Sequence, residues 1–277
     1  MRTTGRLGEI MLTTTIDGLW VLQVLSGIEV LAPELGLRPH LPSVEAKQTA
    51  LEHPVAAELR AAGAITEHFD VDEPVLEWLT VLARRDIGLL MYSQRAAGTE
   101  TERVLLARFD RWWVALERCG LMVRIGAAGS ATSETSAARL IESQIERLCG
   151  SRAAAPIRPV VLQTENLIAM TRDGGGLRAL RCAADLDPDQ WEALAMAADG
   201  RRCDMFSLVG LQSGVGSAAV TIHDTPRGRL LSEQVDRDGI SWMVLAPGSP
   251  ATVAIAVNAM MRRLPASEHW HSHRKVV

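Results

Sequence analysis

The sequence has few cysteines, little net charge and no long apolar run, and each shortage argues against a class of protein. Its four cysteines, Cys119, Cys149, Cys182 and Cys203, include no C-x-x-C pair, so we expect free thiols in a reducing cytosol and no zinc or redox site. The net charge of −4 gives no overall basic field for nucleic acid or for an acidic membrane surface. No apolar run approaches the roughly 20 residues of a membrane helix, so neither membrane insertion, an anchor nor a signal peptide is expected.

The two ends of the chain are polar. Residues 1–10 lack hydrophobic periodicity and are expected to be a disordered lead to a single domain at residues 11–265. Residues 266–277 are expected to be a polar tail. Three histidines alternate in that tail: His269, His271 and His273. No carboxylate or thiol cluster accompanies them, so a frayed chain end is favoured over a loose metal site.

The first part of the chain predicts one short strand and several helices. Leu12–Ile16 is a threonine-rich strand, and Asp17 is a suitable N-cap for a helix that continues to Leu25. Three prolines between residues 28 and 42 favour a loop there. Further helices are predicted at Ser43–Leu51, Pro54–Ala62 and Pro74–Arg84.

Two later parts of the chain each predict four antiparallel strands followed by a helix. The first set is Ile87–Ser93, Arg103–Phe109, Trp112–Glu117 and Leu121–Ile125, with a helix at Ser133–Cys149. A short strand at Val160–Leu162 and helices at Thr164–Thr171 and Pro188–Ala198 precede the second set. That set is Asp204–Leu211, Ala219–His223, Arg229–Val235 and Ile240–Ala246, with a helix at Pro250–Leu264.

The order of elements in residues 11–150 is repeated in residues 151–265, either by duplication or by coincidence of common elements. Each half predicts a strand, a helix, a helical spacer, four strands and a helix. Two separate four-stranded sheets would leave open edges and a bare face. We therefore predict an α+β fold with a central antiparallel sheet, flanking helical bundles and a quasi-two-fold internal repeat. The open edges would also allow a homodimer.

No combination of residues predicts catalysis. Ser213 is not the central residue of a G-x-S-x-G elbow, and the glycine run Asp173–Gly176 follows a helix instead of opening one. His223 and Asp224 could act as a base pair, but turn chemistry accounts for Asp224. A small-molecule-binding or hydrolytic α+β enzyme with a site near His223 and Ser213 stays an alternative hypothesis, and a self-assembling structural protein is a third.

The chain has seven tryptophans and one tyrosine. Most of the tryptophans fall on apolar faces. Trp112 and Trp113 are neighbours on one predicted strand, so their side chains must point to opposite faces. An exposed tryptophan would be a good anchor for a partner, but packing in the core is favoured for either one.

Several segments, in a fixed order between Leu12 and Trp270, resemble one known family. They are T-T-T-I-D-G-L-W-V-L-Q-V-L at Thr13–Leu25, A-P-E-L-G-L-R-P at Ala32–Pro39, H-P-V-A-A-E-L at His53–Leu59, R-R-D-I-G-L-L at Arg84–Leu90, D-T-P-R-G-R at Asp224–Arg229, then P-G-S and a helix ending R-R-L-P. The chain resembles the EspG family, the chaperones of mycobacterial type VII (ESX) secretion systems. Within the family it is most similar to the paralogue that serves the second ESX system.

This resemblance implies a binding protein that is not an enzyme and needs no cofactor or metal. EspG-like proteins bind PE–PPE heterodimers in the cytosol through the tip of the PPE protein. They shield its apolar surface and give specificity for one secretion system. The fold that the resemblance implies is the one predicted above.

The resemblance also implies where a partner would bind. Family members use the sheet face, the loop between the second and third strands, and the C-terminal helical region. That loop corresponds to Gln94–Glu102, which is short for the family, and a plain solvated loop is the other interpretation. The expected contacts are four selector residues, Arg95, Thr99, Glu100 and Glu102, and three sheet residues, Phe206, Leu208 and Gln212. Core packing is an equally good interpretation of Phe206 and Leu208.

Overall fold

The structure, a computed structural model, describes residues 11–96, 98, 100–166, 186–213, 215–217 and 219–272. The described chain forms two compact units. The first comprises the residues up to Leu90, Glu102–Leu140 and the segment from His269, and the second comprises Met91–Thr101 and Ile141–Glu268. Most of the helix predicted at Thr164–Thr171, the glycine run at residues 173–176, Cys182 and His273 lie outside the described residues.

The first unit begins with a strand, four helices and a meander of strands. Its elements are β1 (Met11–Thr15), α1 (Ile16–Ser26), α2 (Lys47–Glu52), α3 (Pro54–Ala61), α4 (Glu73–Arg84), the first half of β2 (Ile87–Gln94), β3 (Glu102–Phe109), β4 (Trp112–Cys119), β5 (Met122–Ser130) and the start of α5 (Glu134–Cys149). The strands lie in the order β1-β5-β4-β3-β2. The pairs β1–β5, β5–β4 and β4–β3 are antiparallel.

Two helix starts in this unit differ from the sequence predictions. Thr15, not Asp17, caps α1, because Thr15 keeps an extended backbone and its hydroxyl accepts a hydrogen bond from Gly18 N. Asp17 lies in the first turn, where its charge suits the helix dipole. The helix predicted from Ser43 starts at Lys47, because the carboxylate of Glu45 accepts a bond from Leu41 N and holds a turn there.

The segment around Trp270 is packed into the first unit, so the prediction of a frayed polar tail is wrong at that position. Trp270 is fully buried, and its ring meets the ring of Trp113 edge to face at 6.5 Å between centroids. The guanidinium of Arg108, itself paired with Asp86, donates to the carbonyl of His269 at 3.2 Å. The segment therefore contributes to the core.

The second unit contains the second meander. Its elements are β6 (Val160–Gln163), α6 (Pro188–Ala197), β7 (Asp204–Gln212), β8 (Val215–Gly216), β9 (Val220–Thr225), β10 (Gly228–Arg237), β11 (Ile240–Pro247) and α7 (Pro250–Arg262). The strands lie in the order β7-β9-β10-β11-β6, and the short β8, which was not predicted, pairs with β7. Helix α6 packs through Ala193, Leu194 and Ala197 against a cluster that includes Leu230 and Leu245.

The two units share a connection pattern, and both combine antiparallel strands with helices. In the first unit β1 pairs with β5, the last strand of its meander. In the second unit β6 likewise pairs with β11, the last strand of its meander. The α+β class predicted from the sequence is therefore confirmed. Within the described part of the chain, no helix is long and apolar enough to cross a membrane.

Candidate partner-binding surface

Asp204, the first residue of β7, binds the start of the loop Gln94–Glu102. We call this loop, in which the selector residues were predicted, the selector loop. One oxygen of its carboxylate accepts a hydrogen bond from Ala96 N at 2.8 Å, and the other lies 3.3 Å from Nη1 of Arg95. Arg95 and Asp204 are 109 residues apart in the sequence. No local pattern could have identified Asp204, because only the fold brings it to the loop.

Arg95, one of the predicted selectors, is held in place by three groups of the second unit, the first of which is Asp204. Its guanidinium lies over the ring of Phe206 at 4.7 Å, and Nη2 donates to the carbonyl of Leu148 at 2.9 Å. Its side chain is nevertheless 41% exposed. Arg95 is therefore held in one orientation and still reaches the surface, which is the state that binding with little loss of entropy requires.

The other selectors have different surroundings. Glu100 is exposed in the loop, whereas Glu102 starts β3 in the first unit, where its carboxylate lies 3.7 Å from the guanidinium of Arg124. Thr99 lies outside the described residues. Arg95 and Glu102 thus belong to different units, although they were predicted as members of one loop.

Two of the three predicted sheet contacts are buried. Phe206 and Leu208 have 0% and 1% of their surface exposed, so core packing, the other interpretation of these residues, describes both. Phe206 still acts on the surface, because it supports the guanidinium of Arg95 from beneath. Gln212 is half-buried at the end of β7, and its side-chain oxygen accepts from Ala266 N at 2.7 Å.

The residues of the alternative enzyme hypothesis do not come together. His223 pairs with Met205 in the β7–β9 ladder, and Ser213 lies eight residues further along the chain from Met205. At about 3.3 Å of rise per strand residue, His223 and Ser213 are roughly 26 Å apart. His223 Nε2 instead lies 2.8 Å from the hydroxyl of Ser232, and burial lowers the pKa of His223 to about 4.

Asp224 is also committed to a structural role. Its carboxylate accepts two hydrogen bonds from the guanidinium of Arg229, at 2.7 and 2.8 Å, with both side chains buried. It is therefore occupied with a buried cation and cannot orient His223 as a base. Among the described residues, no group of three or more His, Cys, Asp or Glu side chains could hold a metal ion.

Comparison with known proteins decides the family. The sequence profile of the EspG family matches residues 15–259, most of the chain. The chain belongs to the EspG family. It is 46% identical over 277 residues to the ESX-2 secretion-associated protein EspG2 of Mycobacterium tuberculosis, covering 96% of this chain and 100% of that protein. It is 26% identical to the ESX-5 secretion-associated protein EspG5 of Mycobacterium marinum, covering 96% and 97% of the two chains.

A solved EspG structure has the same fold. It is the type VII secretion system chaperone EspG5 of Mycobacterium tuberculosis in complex with the PE25–PPE41 dimer. The TM-score is 0.75 at 22% identity, and the match covers 95% of this chain and 100% of that chain. The prediction of the EspG family, and of the ESX-2 paralogue within it, is confirmed by these similarities.

Trp112 is a further exposed aromatic side chain of the EspG chain, although its sequence favours packing in the core. Trp112 and Trp113 point to opposite faces as predicted, but only Trp113 is buried, whereas Trp112 is 49% exposed. The guanidinium of Arg111 lies over the Trp112 ring at 4.9 Å. The alternation of side chains along the strand predicts that Trp112 and Trp113 point to different faces. It does not predict which of the two Trp270 covers.

Proposed function

We propose that this EspG chain is a cytosolic type VII secretion chaperone that binds the apolar tip of a PPE protein in a PE–PPE heterodimer. It keeps the heterodimer soluble and gives specificity for one ESX system. The observation that carries the proposal is the full-length similarity to EspG2 of the ESX-2 system. The shared fold with EspG5, solved in complex with a PE–PPE dimer, supports it. The chain acts by binding, not by catalysis.

The physical need for such a protein follows from the chemistry of its target. A protein that exposes a contiguous apolar patch associates with copies of itself, so the patch must be covered until secretion. A contact of standard size buries on the order of 800 Å² on each partner. A few anchoring residues supply most of the affinity, and polar neighbours exclude the wrong partner.

We assign the selector role to the exposed and half-buried members of the predicted set: Arg95, Glu100, Glu102 and Gln212, with Thr99 kept as a prediction. Asp204 orients Arg95 and Ala96, so it positions the loop. Phe206 supports Arg95 from beneath, and Leu208 is buried in the same strand. Arg95 is the strongest candidate, since its aromatic support and two polar partners hold it in place while its outer part stays accessible.

The quasi-two-fold internal repeat and its flanking helical bundles remain part of the proposal. The matching connection of β1 to β5 and of β6 to β11 supports a duplication. A duplicated origin predicts that the backbone of one unit, taken alone, superposes on the other with equivalent strands in sequence order. A superposition that matches strands only out of order would reject the duplication without affecting the proposed binding.

Co-expression tests the function directly. The chain is expressed with each PE–PPE pair encoded beside the same ESX system, and with a pair from a different ESX system as the control. We expect a soluble complex of the three chains with the matched pair alone. If every matched pair stays insoluble or elutes separately, the proposal is wrong. Light scattering on the free chain also determines whether it is a monomer or the homodimer that open sheet edges would allow.

A further inference from the structure

The turn between β3 and β4 presents two aromatic side chains on one face of the first-unit sheet. Phe109 and Trp112 are the last cross-strand pair of this hairpin, and Asp110 and Arg111 form the turn between them. Cross-strand partners point to the same side of the sheet with their Cβ atoms about 5 Å apart, so the two rings are neighbours. Trp112 is 49% exposed, and Phe109 is half-buried.

A guanidinium lies over each of these rings. That of Arg84, the last residue of α4, is 4.7 Å from the centre of the Phe109 ring, and that of Arg111 is 4.9 Å from the centre of the Trp112 ring. Both arginines are exposed, and neither forms an ion pair with another residue in the described part of the chain. We call Arg84 and Phe109–Trp112 together the cationic turn.

The backbone of the cationic turn is fixed by its neighbours. Asp110 adopts a left-handed conformation, with a φ of +56°, which aspartate tolerates in tight turns. The carbonyl of Arg111 accepts a hydrogen bond from Ala131 N at 2.8 Å, and Trp112 pairs with Ser130 on β5. A surface that is already ordered loses little entropy when a partner binds.

The chemistry of the cationic turn fits an acidic partner. An aromatic ring supports the flat side of a guanidinium and leaves its N–H edge for carboxylate oxygens. Two guanidinium groups on neighbouring rings repel each other, and Asp110 supplies one negative charge against their two positive charges. The exposed ring of Trp112 adds an apolar anchor of the kind that contributes strongly at interfaces. The matching segment therefore carries acidic side chains beside an apolar one.

An arginine over an aromatic ring is in many cases simple surface packing. In the same unit the guanidinium of Arg60 lies 4.6 Å from the centre of the Phe69 ring, and the exposed acidic residues Glu67 and Asp70 flank Phe69 in the sequence. The cationic turn differs, because two guanidinium groups lie over adjacent rings and Trp112 stays half exposed beneath its arginine. Excess positive charge and accessible apolar surface coincide there.

The cationic turn and the selector loop lie at opposite ends of β3. This strand runs from Glu102, where the loop ends, to Phe109, and its residues span roughly 23 Å at about 3.3 Å each. A contact of about 800 Å² has a radius of roughly 16 Å. A partner centred on Glu102 therefore leaves the cationic turn uncovered.

We propose that the cationic turn is a second docking surface of this chain, for a protein segment that carries carboxylate side chains beside an apolar one. It is separate from the surface proposed for the PPE protein, so both can be occupied at once. Nucleic acid fits it less well, because nucleic-acid binding sums many phosphate contacts and this chain has a net charge of −4.

NMR of the full chain with ¹⁵N-labelled tryptophan tests the location. The acidic probe is a short blocked peptide of alternating glutamate and leucine pairs, and the neutral probe has glutamine in place of glutamate. Trp112→Phe assigns the indole N–H signal of Trp112. At low salt, where charges act over long distances, we expect the acidic probe to shift this signal and the neutral probe to leave it in place. If the acidic probe leaves the Trp112 signal unchanged, the proposal is wrong.

Charge removal tests the role of the two arginines. We expect the double substitution Arg84→Gln with Arg111→Gln to weaken binding of the acidic probe at least about tenfold in fluorescence anisotropy. Arg60→Gln is the matched control, since it removes a guanidinium from over another exposed ring, and its affinity should equal that of the wild type. Equal affinities of the double variant and the control would overturn the proposal. Unchanged melting temperatures exclude unfolding as the cause of weaker binding.

Two further measurements identify the class of partner and the independence of the surface. If a single-stranded oligonucleotide binds the cationic turn more tightly than the acidic probe, the turn is a nucleic-acid surface and the proposal is wrong. Saturation with the matched PE–PPE pair should leave the affinity for the acidic probe unchanged. If the pair displaces the probe, the cationic turn belongs to the PE–PPE contact and is not a second surface. If no matched pair binds, the proposed function fails, and the measurements on the free chain still decide this proposal.

Discussion

Arg229 and Asp224 lie opposite each other in the β9–β10 hairpin and form a buried ion pair with two hydrogen bonds. The hydrogen bonds that Arg229 donates to Asp224 raise the pKa of the Arg229 guanidinium. Nη2 of Arg229 also donates to the carbonyls of Cys149 and Gly150 at the end of α5. One side chain therefore joins a hairpin to a helix C-terminus. The D-T-P-R-G-R segment therefore stabilises the fold.

Gly228, in the same hairpin, lies where a side chain would not fit. Its φ of +126° is one that residues with a Cβ rarely adopt, and a Cβ built there would lie 2.8 Å from Ala155 N. The backbone of residues 153–155 runs directly beside the hairpin, with Arg229 N donating to Ala153 O and Ala155 N donating to Arg229 O. The glycine is required by this close approach of two backbones.

Replacing Asp224 with asparagine should strongly destabilise the protein. The variant leaves the charge of Arg229 buried without a counter-charge, and breaking a buried pair in this way typically costs about 3–5 kcal/mol of unfolding free energy. Urea unfolding measures the loss. Asp238→Asn is the control, because the Arg237–Asp238 pair has side chains that are 83% and 89% exposed. Equal midpoints for the two variants would show that the buried pair does not stabilise the fold.

Stability should fall as the pH falls from 6.5 to about 4, because of His223. Burial lowers the pKa of His223 from 6.5 to about 4, so below pH 6.5 the unfolded state binds a proton that the native state does not bind. The native state is thus favoured at higher pH. The unfolding free energy falls by on the order of 3 kcal/mol across this window. Below pH 4 the contribution of His223 no longer changes.

Urea midpoints measured from pH 7 to pH 4 test this titration. His223→Gln, whatever its stability at pH 7, should lack that part of the pH dependence. His68→Gln, a substitution in an exposed turn, should keep the wild-type dependence. If the urea midpoint of His223→Gln depends on pH as steeply as that of the wild type, His223 is not the group whose protonation destabilises the protein.

Removing the indole of Trp270 should destabilise the first unit. Trp270 is fully buried against Trp113, and truncating a buried tryptophan to alanine typically costs about 3–5 kcal/mol. Trp112→Ala is the matched control, since Trp112 is half exposed, and we expect it to cost about 1 kcal/mol or less. Chemical denaturation compares the two. If Trp270→Ala is as stable as the control, Trp270 does not contribute to the core.

Asp204→Ala should weaken partner binding more than it affects folding. The variant frees Ala96 N and Arg95 from their shared carboxylate, so the selector loop must be ordered on binding. We expect about a threefold to tenfold weaker complex with the matched PE–PPE pair, which corresponds to about 1 kcal/mol. Asp236→Ala, at an exposed position on β10, is the control.

Amide hydrogen exchange in residues 95–101 checks the cause of this effect. Exchange there should become faster in Asp204→Ala and stay unchanged in Asp236→Ala, because only the first variant releases the loop. Weaker binding without faster exchange would show that Asp204 contacts the partner instead of positioning the loop.

The two strand meanders and their closing helices could be predicted because their signals are local. Alternating apolar residues between tight turns placed β9, β10 and β11 within a few residues of their observed bounds. The N-cap of α1 was misplaced by two residues because Thr15 and Asp17 are both good caps, and only the length of β1 decides between them. The short β8 was missed because two residues carry no periodic signal.

The sequence by itself determined the α+β class, the family and the segment expected to select a partner. These depend on periodicity, turn residues and motif order, which are written along the chain. Only the tertiary structure decided that Phe206 is buried beneath Arg95, that Asp204 holds the loop and that Trp270 covers Trp113 and not Trp112. Each of these depends on contacts between residues about 100 or more positions apart. A local sequence pattern does not indicate which of two such distant segments will come into contact.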